Sequence, residues 1–289
     1  MDLKIEQDEP RFNRPAQSTL YQPAVALSFF KTFGTPEDVA AGKPIFVENE
    51  GGANIYSQGS KMYLLVDGEV AISVGKQVIG AVGKGEVFGE IASISHLPRT
   101  ATATAKSACK LISMDEPRFM TAMEKSPEFA LMLMNIIIGR LRETIANLTS
   151  AGRLSDKDRW NRATIFERKL LADLEKAMED TPPADHPAGK VMMKEGDKGL
   201  FMYVVREGVI AVTIDGKTVE KVGPGGVFGE MALVNQGARA ATATAETDCS
   251  LLAINRADFM KLVKSKSAFA LSLLKALSER LRYMTSKYK

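Results

Sequence analysis

The residues best suited to chemistry are a Gly-Glu pair and an arginine that follows the Glu by nine positions. The chain carries this arrangement twice, as Gly89-Glu90 with Arg99 and as Gly229-Glu230 with Arg239. Glycine lets its backbone approach a ligand closely, and an arginine offers parallel N–H donors to a phosphate. A carboxylate accepts hydrogen bonds from sugar hydroxyls, as acidic residues do with ribose in dinucleotide sites. The spacing therefore predicts two pockets for a phosphorylated sugar.

The surrounding sequence repeats in the same register. Residues 87–105 match residues 227–245 at a constant offset of 140 residues, which is the signature of a duplicated domain. Further upstream the offset becomes 147, because the first copy has seven additional loop-like residues within 48–59.

Short alternating segments separated by glycine-containing turns favour antiparallel strands. Residues 63–74 are interpreted as a hairpin around Asp67-Gly68, and residues 203–213 as its counterpart around Glu207-Gly208. The Ala-Thr-Ala-Thr-Ala run in each copy is interpreted as an alternating strand rather than as a base-recognition element. Many short strands with regular turns indicate a β-sandwich or barrel in each half.

Each copy ends in a helix. Apolar residues recur every three or four positions from Phe129 to Leu148, and again from Phe269 to Leu281. Opening helices are expected at residues 25–33 and 165–174, the second ended by Pro182-Pro183.

The predicted fold class is therefore mainly β with helices (α+β), in two tandem domains. Residues 1–23 form a leader that is expected to be poorly ordered, and the first domain with its closing helix occupies residues 24–150. A linker at 151–164 leads to the second domain at 165–289.

Composition excludes several classes of function. A net charge of +3 on 289 residues gives no electrostatic case for nucleic-acid binding. The N terminus has no signal-peptide core, and the most apolar run, residues 130–138, is too short to span a bilayer. A cytoplasmic protein that contacts neither membrane nor nucleic acid is expected.

The cysteines and histidines suggest no chemistry of their own. Cys109 and Cys249 occupy equivalent positions in the two copies, so they are interpreted as buried free thiols and not as a disulfide. His96 and His186 do not align between the copies and are interpreted as loop residues. Two unrelated histidines cannot build the multi-histidine centre of a jelly-roll oxygenase. No catalytic residue, metal site or cofactor is predicted.

The repeated motif resembles a known family. The run Phe88-Gly89-Glu90-Ile91-Ala92, a short loop and Pro98-Arg99-Thr100-Ala101 is similar to the phosphate-binding cassette of cyclic-nucleotide-binding domains. Such domains occur in catabolite-activator-like regulators, regulatory subunits of cyclic-nucleotide-dependent kinases and gated channels. The resemblance covers nearly all of both halves and implies, in each, an opening helix, an eight-stranded jelly roll and a closing helix. Residues 87–101 are called the first cassette below, and residues 227–241 the second cassette.

The resemblance implies cyclic AMP or cyclic GMP as the ligand. Glu90 and Glu230 would hold the ribose 2′-hydroxyl, and Arg99 and Arg239 the cyclic phosphate. Backbone amides around Ala92, Thr100, Ala232 and Ala240 would assist. The residues expected at the first site are Phe88, Gly89, Glu90, Ile91, Ala92, Arg99, Thr100 and Ala101. Those expected at the second site are Phe228, Gly229, Glu230, Met231, Ala232, Arg239, Ala240 and Ala241.

Three positions bear on how the cassettes differ. Ser93 stands where the family usually has leucine, and Ala238 replaces the usual proline before Arg239; both are expected to tune loop stiffness. In the family, Thr or Ser after the arginine is associated with a preference for guanine, and Ala with a preference for adenine. Thr100 and Ala240 therefore indicate different base preferences at the two sites. Catabolite-activator-like proteins bind cyclic AMP with Ser at this position, so the base at each site stays open.

In the family the closing helices cap the base and often pair between subunits. Homodimer formation through these helices is therefore one interpretation. Residues at helix positions from which a cap could come are Tyr283, Thr285, Ser286, Asn147 and Thr149.

The leading hypothesis is a non-catalytic cytosolic sensor. A cyclic nucleotide in one or both cassettes would move a closing helix and pass the signal to an unidentified effector protein. One alternative is a kinase regulatory subunit, for which Arg11–Pro15 is a poor pseudosubstrate. Another is a receptor for a different nucleotide, such as a cyclic dinucleotide, because the insertion could reshape the first pocket. A ligand-free domain with a structural Glu–Arg salt bridge is the remaining interpretation. A transcription factor is not expected, because Lys289 follows directly on the second closing helix.

Overall fold

The computed structural model of the chain describes residues 23–51, 60–155, 160–161 and 165–288. The described residues form two compact units, of which the second is Met123–Lys287 and the first comprises those up to Ala122 together with Tyr288. The predicted leader, apart from Pro23, and most of the predicted insertion lie outside the described residues. The domain boundaries near residue 150 remain a prediction.

The first unit is a β-sandwich preceded by a helix. Two antiparallel four-stranded sheets have the orders β1-β8-β3-β6 and β2-β7-β4-β5. Its elements are α1 (Pro23–Phe33), β1 (Thr35–Val39), β2 (Pro44–Phe46), β3 (Met62–Asp67), β4 (Val70–Val74), β5 (Gln77–Val82), β6 (Val87–Phe88), α2 (Glu90–Ser95), β7 (Thr102–Ala105) and β8 (Cys109–Met114). Both sheets contribute to the core, which brings Phe46 and Val70 of one sheet against Tyr63, Leu65 and Leu111 of the other.

The second unit repeats this plan. Its sheets have the orders β10-β17-β12-β15 and β11-β16-β13-β14-β9, in which β9 adds a parallel edge strand. The remaining elements are α3 (Glu116–Lys125), which contains the boundary between the units, α4 (Pro127–Ser150), β9 (Trp160–Asn161), α5 (Arg168–Ala177), β10 (Ala184–His186), β11 (Val191–Met193), β12 (Phe201–Glu207), β13 (Ile210–Ile214), β14 (Lys217–Val222), β15 (Val227–Phe228), α6 (Glu230–Asn235), β16 (Thr242–Ala245), β17 (Cys249–Asn255), α7 (Arg256–Ser265) and α8 (Ser267–Ser286). The predicted mixed α+β class with tandem β-jelly rolls is confirmed.

The predicted hairpin at residues 63–74 is wrong. Strands β3 and β4 lie in different sheets, and β3 pairs with β8 and β6 instead. Gly68 adopts φ +100°, and a Cβ there would lie 2.7 Å from the Ala108 carbonyl oxygen. The turn therefore carries the chain across the sandwich instead of folding it back on itself. The counterpart around Gly208 is wrong for the same reason, because β12 and β13 also belong to different sheets.

The closing helices α4 and α8 occur where the apolar spacing predicts them. In α8 the predicted residues Phe269, Leu273 and Leu277 have no solvent exposure. Helix α4 packs along α8, and both belong to the second unit. The two closing helices thus pair within one chain, whereas pairing between two copies remains a prediction.

Cys109 and Cys249 are buried free thiols, as predicted. The prediction that His186 lies in a loop is wrong, because it ends strand β10; His96 caps the C terminus of α2. No helix among the described residues combines the length and apolarity needed to cross a membrane.

Candidate functional site

The second cassette is positioned by a strand, a glycine with positive φ and a short helix. Strand β15 ends at Phe228, and Gly229 then turns the chain with φ +81° into α6. A Cβ on Gly229 would lie 2.6 Å from Nη1 of Arg239. Glycine is therefore required twice over, for the left-handed backbone and for the close approach of the arginine.

Arg239 is fixed against this turn by two backbone carbonyls. Its Nη1 donates to the Gly229 carbonyl at 2.7 Å and its Nη2 to the Phe201 carbonyl at 2.7 Å. Burial lowers the pKa of the guanidinium, while the charges of Tyr203, Glu230 and Asp197 act in the opposite direction. An arginine remains charged at physiological pH despite such a shift. A fixed cation thus stands beside the glycine turn.

All eight residues predicted for the second site line one cavity of about 610 Å³, a volume that includes space open to solvent. Its other lining residues are Leu141, Ile145, Met193, Val212, Ile214, Val219, Glu220, Arg280 and Met284. Apart from Glu220 and Arg280, these are apolar. The cavity therefore combines a few charged side chains, those of Glu220, Glu230, Arg239 and Arg280, with a wall that is otherwise apolar.

Glu230 projects into this cavity with 1% of its surface exposed. Its Oε1 accepts a hydrogen bond from Nη1 of Arg280, while Oε2 has no hydrogen-bond partner among the described residues. A buried carboxylate oxygen without a donor is unfavourable. The site therefore presents an unused acceptor to whatever occupies the cavity.

Arg280 comes from the closing helix α8 and bridges two carboxylates. Its Nε donates to Oε2 of Glu220 at 2.9 Å, and its Nη2 donates to the Val227 carbonyl at 2.6 Å. Burial on its own lowers the pKa of Arg280, but the charges of Glu220 and Glu230 more than offset it and raise the pKa above its ordinary value. The closing helix is thus tied to Glu230 by a buried ion pair.

The residues that complete this cavity were not predicted from the sequence. A base cap was expected at Tyr283, Thr285 or nearby polar residues, whereas the closing helices line the cavity with Arg280, Met284, Leu141 and Ile145. Alignment by the 140-residue offset pairs Arg280 with Arg140, which is a signal for the arginine. Glu220 aligns with a glycine, Gly80, so repetition could not reveal it.

The first cassette has the same local geometry. Gly89 adopts φ +74° and leads into α2, where Glu90 is 1% exposed. Arg99 donates through Nη1 to the Gly89 carbonyl and through Nη2 to the Lys61 carbonyl, both at 2.8 Å. Its guanidinium lies 4.1 Å from the centre of the Phe46 ring, which adds a cation–π contact.

The other residues predicted for the first site follow the same order along the chain. Phe88 ends β6 and stacks on Tyr63, Ile91 and Ala92 lie in α2, and Thr100 and Ala101 lead into β7. Burial lowers the pKa of Arg99, opposed by the charges of Tyr63, Glu50 and Glu90. Ligand binding at either cassette stays a prediction.

Within the ranges that the structure describes, no three His, Cys, Asp or Glu side chains are grouped so that they could hold a metal ion.

Comparison with known proteins gives a family match in both halves. A family model described as cyclic nucleotide-binding domain matches residues 40–126 and 184–266, which is more than half of the chain. Each matched segment contains one of the two cassettes.

Two curated relatives are kinase proteins. The chain is 39% identical over 79 residues to the cAMP-dependent protein kinase regulatory subunit of Eremothecium gossypii, covering 27% of this chain and 17% of the relative. It is 27% identical over 198 residues to a cGMP-dependent protein kinase of Toxoplasma gondii, covering 68% of this chain and 18% of the relative. The chain thus spans less than a fifth of the length of either relative.

Solved structures show the same likeness. The regulatory domain of Toxoplasma gondii PKA with cAMP is 22% identical, covers 86% of this chain and 88% of its own, and has a TM-score of 0.31. The regulatory subunit of a cAMP-independent protein kinase A from Trypanosoma brucei is 18% identical, covers 89% of each chain and has a TM-score of 0.32. Likenesses at these scores carry no inference about ligand or partner.

Proposed function

Because the chain belongs to the cyclic nucleotide-binding domain family, we propose that it is a non-catalytic cytoplasmic sensor of cyclic AMP or cyclic GMP. The ligand binds at one or both cassettes. Its binding changes the position of a closing helix, and this movement alters the contacts of an effector protein.

The observation that carries the proposal is the shared cavity of Glu230 and Arg239. Glu230 supplies a buried oxygen without a donor, and Arg239 supplies a fixed cation in the same cavity. A ribose hydroxyl would donate to the first, and a cyclic phosphate would accept from the second.

The apolar wall suits the nucleobase. Val212, Ile214 and Met193 face the cavity from the sheet, and Met284 faces it from the closing helix. A purine would bury its flat surface there, with a gain in free energy proportional to the apolar area removed from water.

Signal transmission would begin at Arg280. This residue joins α8 to Glu230, so a ligand that engages Glu230 changes the electrostatic environment of the closing helix. A ligand shifts an equilibrium between helix positions only by its difference in affinity for them. The proposal therefore requires tighter binding to one position of α8.

Titration calorimetry with cyclic AMP and cyclic GMP tests the proposal directly. Micromolar or tighter binding, with a stoichiometry of one or two per chain, is expected. Because Thr100 and Ala240 differ at the equivalent position, single-site variants are expected to show unlike base preferences. Failure of both nucleotides to bind, while a cyclic dinucleotide binds, would reassign the ligand. Failure of all of them would support a ligand-free domain.

A kinase is the effector that the relatives favour. One curated relative is a kinase regulatory subunit, and the other is a cyclic-nucleotide-dependent kinase. Co-purification of a kinase with the tagged chain, released by the bound nucleotide, is the expected result. Release by the nucleotide from an Arg99→Ala/Arg239→Ala chain would contradict this assignment.

A further inference from the structure

Helix α4 contacts the loop of the second cassette through one arginine. Arg142 donates from Nη2 to the carbonyl oxygen of Ala238 at 2.6 Å, and Nη2 lies 3.5 Å from Oδ1 of Asn235. Asn235 Oδ1 also accepts a hydrogen bond from the Gly237 N–H at 3.1 Å. The short loop between α6 and β16 is thus held by a hydrogen bond from α4 and by a hydrogen bond between Gly237 and Asn235.

The contacted carbonyl belongs to the peptide group that begins Arg239. The N–H of the same peptide group donates to the Asp197 carbonyl at 2.8 Å, so the peptide is held from both sides. The Arg239 carbonyl in turn accepts from the Gly196 N–H at 2.9 Å. These bonds fix the backbone of Arg239 and therefore the position of its side chain. A small displacement of the guanidinium would weaken recognition of a ligand.

The two cassettes differ at this position. Pro98 precedes Arg99 in the first cassette, whereas Ala238 precedes Arg239 in the second. The two loops leave their helices in the same conformation, since His96 has φ 57° and ψ 25° and Gln236 has φ 54° and ψ 22°. Proline fixes its own φ and so restricts the loop. Alanine provides no such restriction, and the Arg142 bond provides a restraint at the same place.

The placement of Arg142 is unfavourable without a compensating contact. Its Nε is buried and has no hydrogen-bond partner among the described residues. Burial lowers the pKa of its guanidinium, while the charge of Glu230 acts in the opposite direction. The hydrogen bond to Ala238 and the attraction of Glu230 offset this cost.

Helix α4 also forms part of the cavity wall. Leu141 and Ile145, which flank Arg142 on the same helix, line the cavity together with Met284. The helix that closes the first repeat in sequence therefore touches both the apolar wall and the cassette loop of the second site.

We propose that Arg142 is a positioning residue of the second site, and that it replaces the proline of the first cassette as the restraint on the arginine that follows. The inference rests on the proposed function of that site. It implies that the second repeat holds its ligand with the help of a helix from the first repeat.

The test uses the full chain with Arg99→Ala, so that the first cassette does not contribute. Arg142→Gln in this background is expected to weaken binding of cyclic AMP and cyclic GMP about tenfold, because the loop that Arg142 no longer restrains must be ordered when the ligand binds. Arg153→Gln is the matched control, because Arg153 lies just beyond the C terminus of α4 and donates to the Lys287 carbonyl instead. The control should bind as its parent does.

Ala238→Pro, added to Arg142→Gln, separates a positioning role from a general loss of stability. Proline at this position should restore most of the affinity, although it restores no charge. Equal affinities for Arg142→Gln and its parent would overturn the inference, and so would a weakened variant that Ala238→Pro fails to rescue.

Hydrogen exchange of the ligand-free chains makes the test independent of the proposed function. Arg142→Gln should accelerate exchange of the Arg239 amide, and Ala238→Pro should reverse the change. Unchanged exchange would overturn the inference. If the unsubstituted chain binds neither nucleotide, the proposed function fails, while the exchange result still decides the role of Arg142.

Discussion

Arg280 donates to Glu230 and to Glu220 at once, and all three side chains are less than a tenth exposed. The pair Arg280–Glu230 connects the closing helix to the carboxylate on which ligand recognition is proposed to depend. It is therefore both a structural contact and the first point at which a ligand could act on the helix.

Replacing Arg280 by Met should destabilise the second unit strongly. The change leaves two buried carboxylates without their cation, and breaking a buried pair from one side costs about 3–5 kcal/mol. Urea unfolding followed by circular dichroism measures the effect. Lys275→Met, on the exposed face of the same helix, is the control and should change stability little. A loss no larger than that of the control would contradict the buried ion pair.

Arg239→Ala should reduce affinity at the second site by about a hundredfold or more. Two charge-assisted hydrogen bonds to a phosphate would be lost, each of about 1.5–3 kcal/mol. Calorimetry on this variant and on Arg99→Ala assigns each binding event to a cassette. If cyclic nucleotides bind with unchanged affinity to the chain that lacks both arginines, the site assignment is wrong.

Gly229→Ala should lower both the stability of the second unit and its affinity for the ligand. The residue has φ +81°, and the added Cβ would lie 2.6 Å from Nη1 of Arg239. Gly216→Ala is a close control, because Gly216 has φ +73° but nothing within 4 Å of the Cβ position. The control carries only the cost of a left-handed backbone with a Cβ, about 1–2 kcal/mol. Comparable melting temperatures for the two variants would show that Arg239 can move aside.

The ion pair of Glu37 should make stability depend on pH in the acid range. Burial alone raises the pKa of the Glu37 carboxyl, but hydrogen bonds from Lys61 and Ser113 and the charge of Lys61 lower it below 4.5. The lowered value means that the stabilisation is present above pH 4.5 and is lost as the pH falls through the folded-state pKa.

Glu37→Gln is therefore expected to cost up to about 1 kcal/mol at pH 7, since the pair is partly exposed. The difference from the parent chain should shrink at pH 3. Thermal unfolding at the two pH values gives the comparison. Asp67→Asn serves as the control, because Asp67 lies 3.7 Å from Lys84 in a pair whose two side chains are exposed. A difference that grows on acidification would have the wrong sign for this carboxylate.

The sequence alone predicts those features that depend on local spacing. The stripe from Phe129 to Leu148 has the helical period, and the fixed register of the cassettes places Glu230 and Arg239 nine residues apart around a glycine turn. Both follow from neighbours along the chain, so periodicity and repetition are sufficient.

Features that depend on which distant elements meet could not be read in this way. Residues 63–74 alternate as a hairpin does, yet alternation does not specify the partner strand, and β3 pairs with β8 instead of β4. Glu220 and Arg280 are brought together by the packing of α8 on the sheet, and the first copy has Gly80 where the second has Glu220. Because the Glu220–Arg280 pair occurs in the second copy only, comparison of the two repeats does not reveal it.

The grouping of α4 with the second unit determines where the polypeptide can be divided. A fragment that starts at residue 165 would expose the apolar flank of α8 to water, because the helix that covers it would be missing. Such a fragment should self-associate, whereas one that starts at Met123 should remain monomeric at the same concentration. The C-terminal compact unit thus begins well before the second repeat, which the sequence places at 165–289.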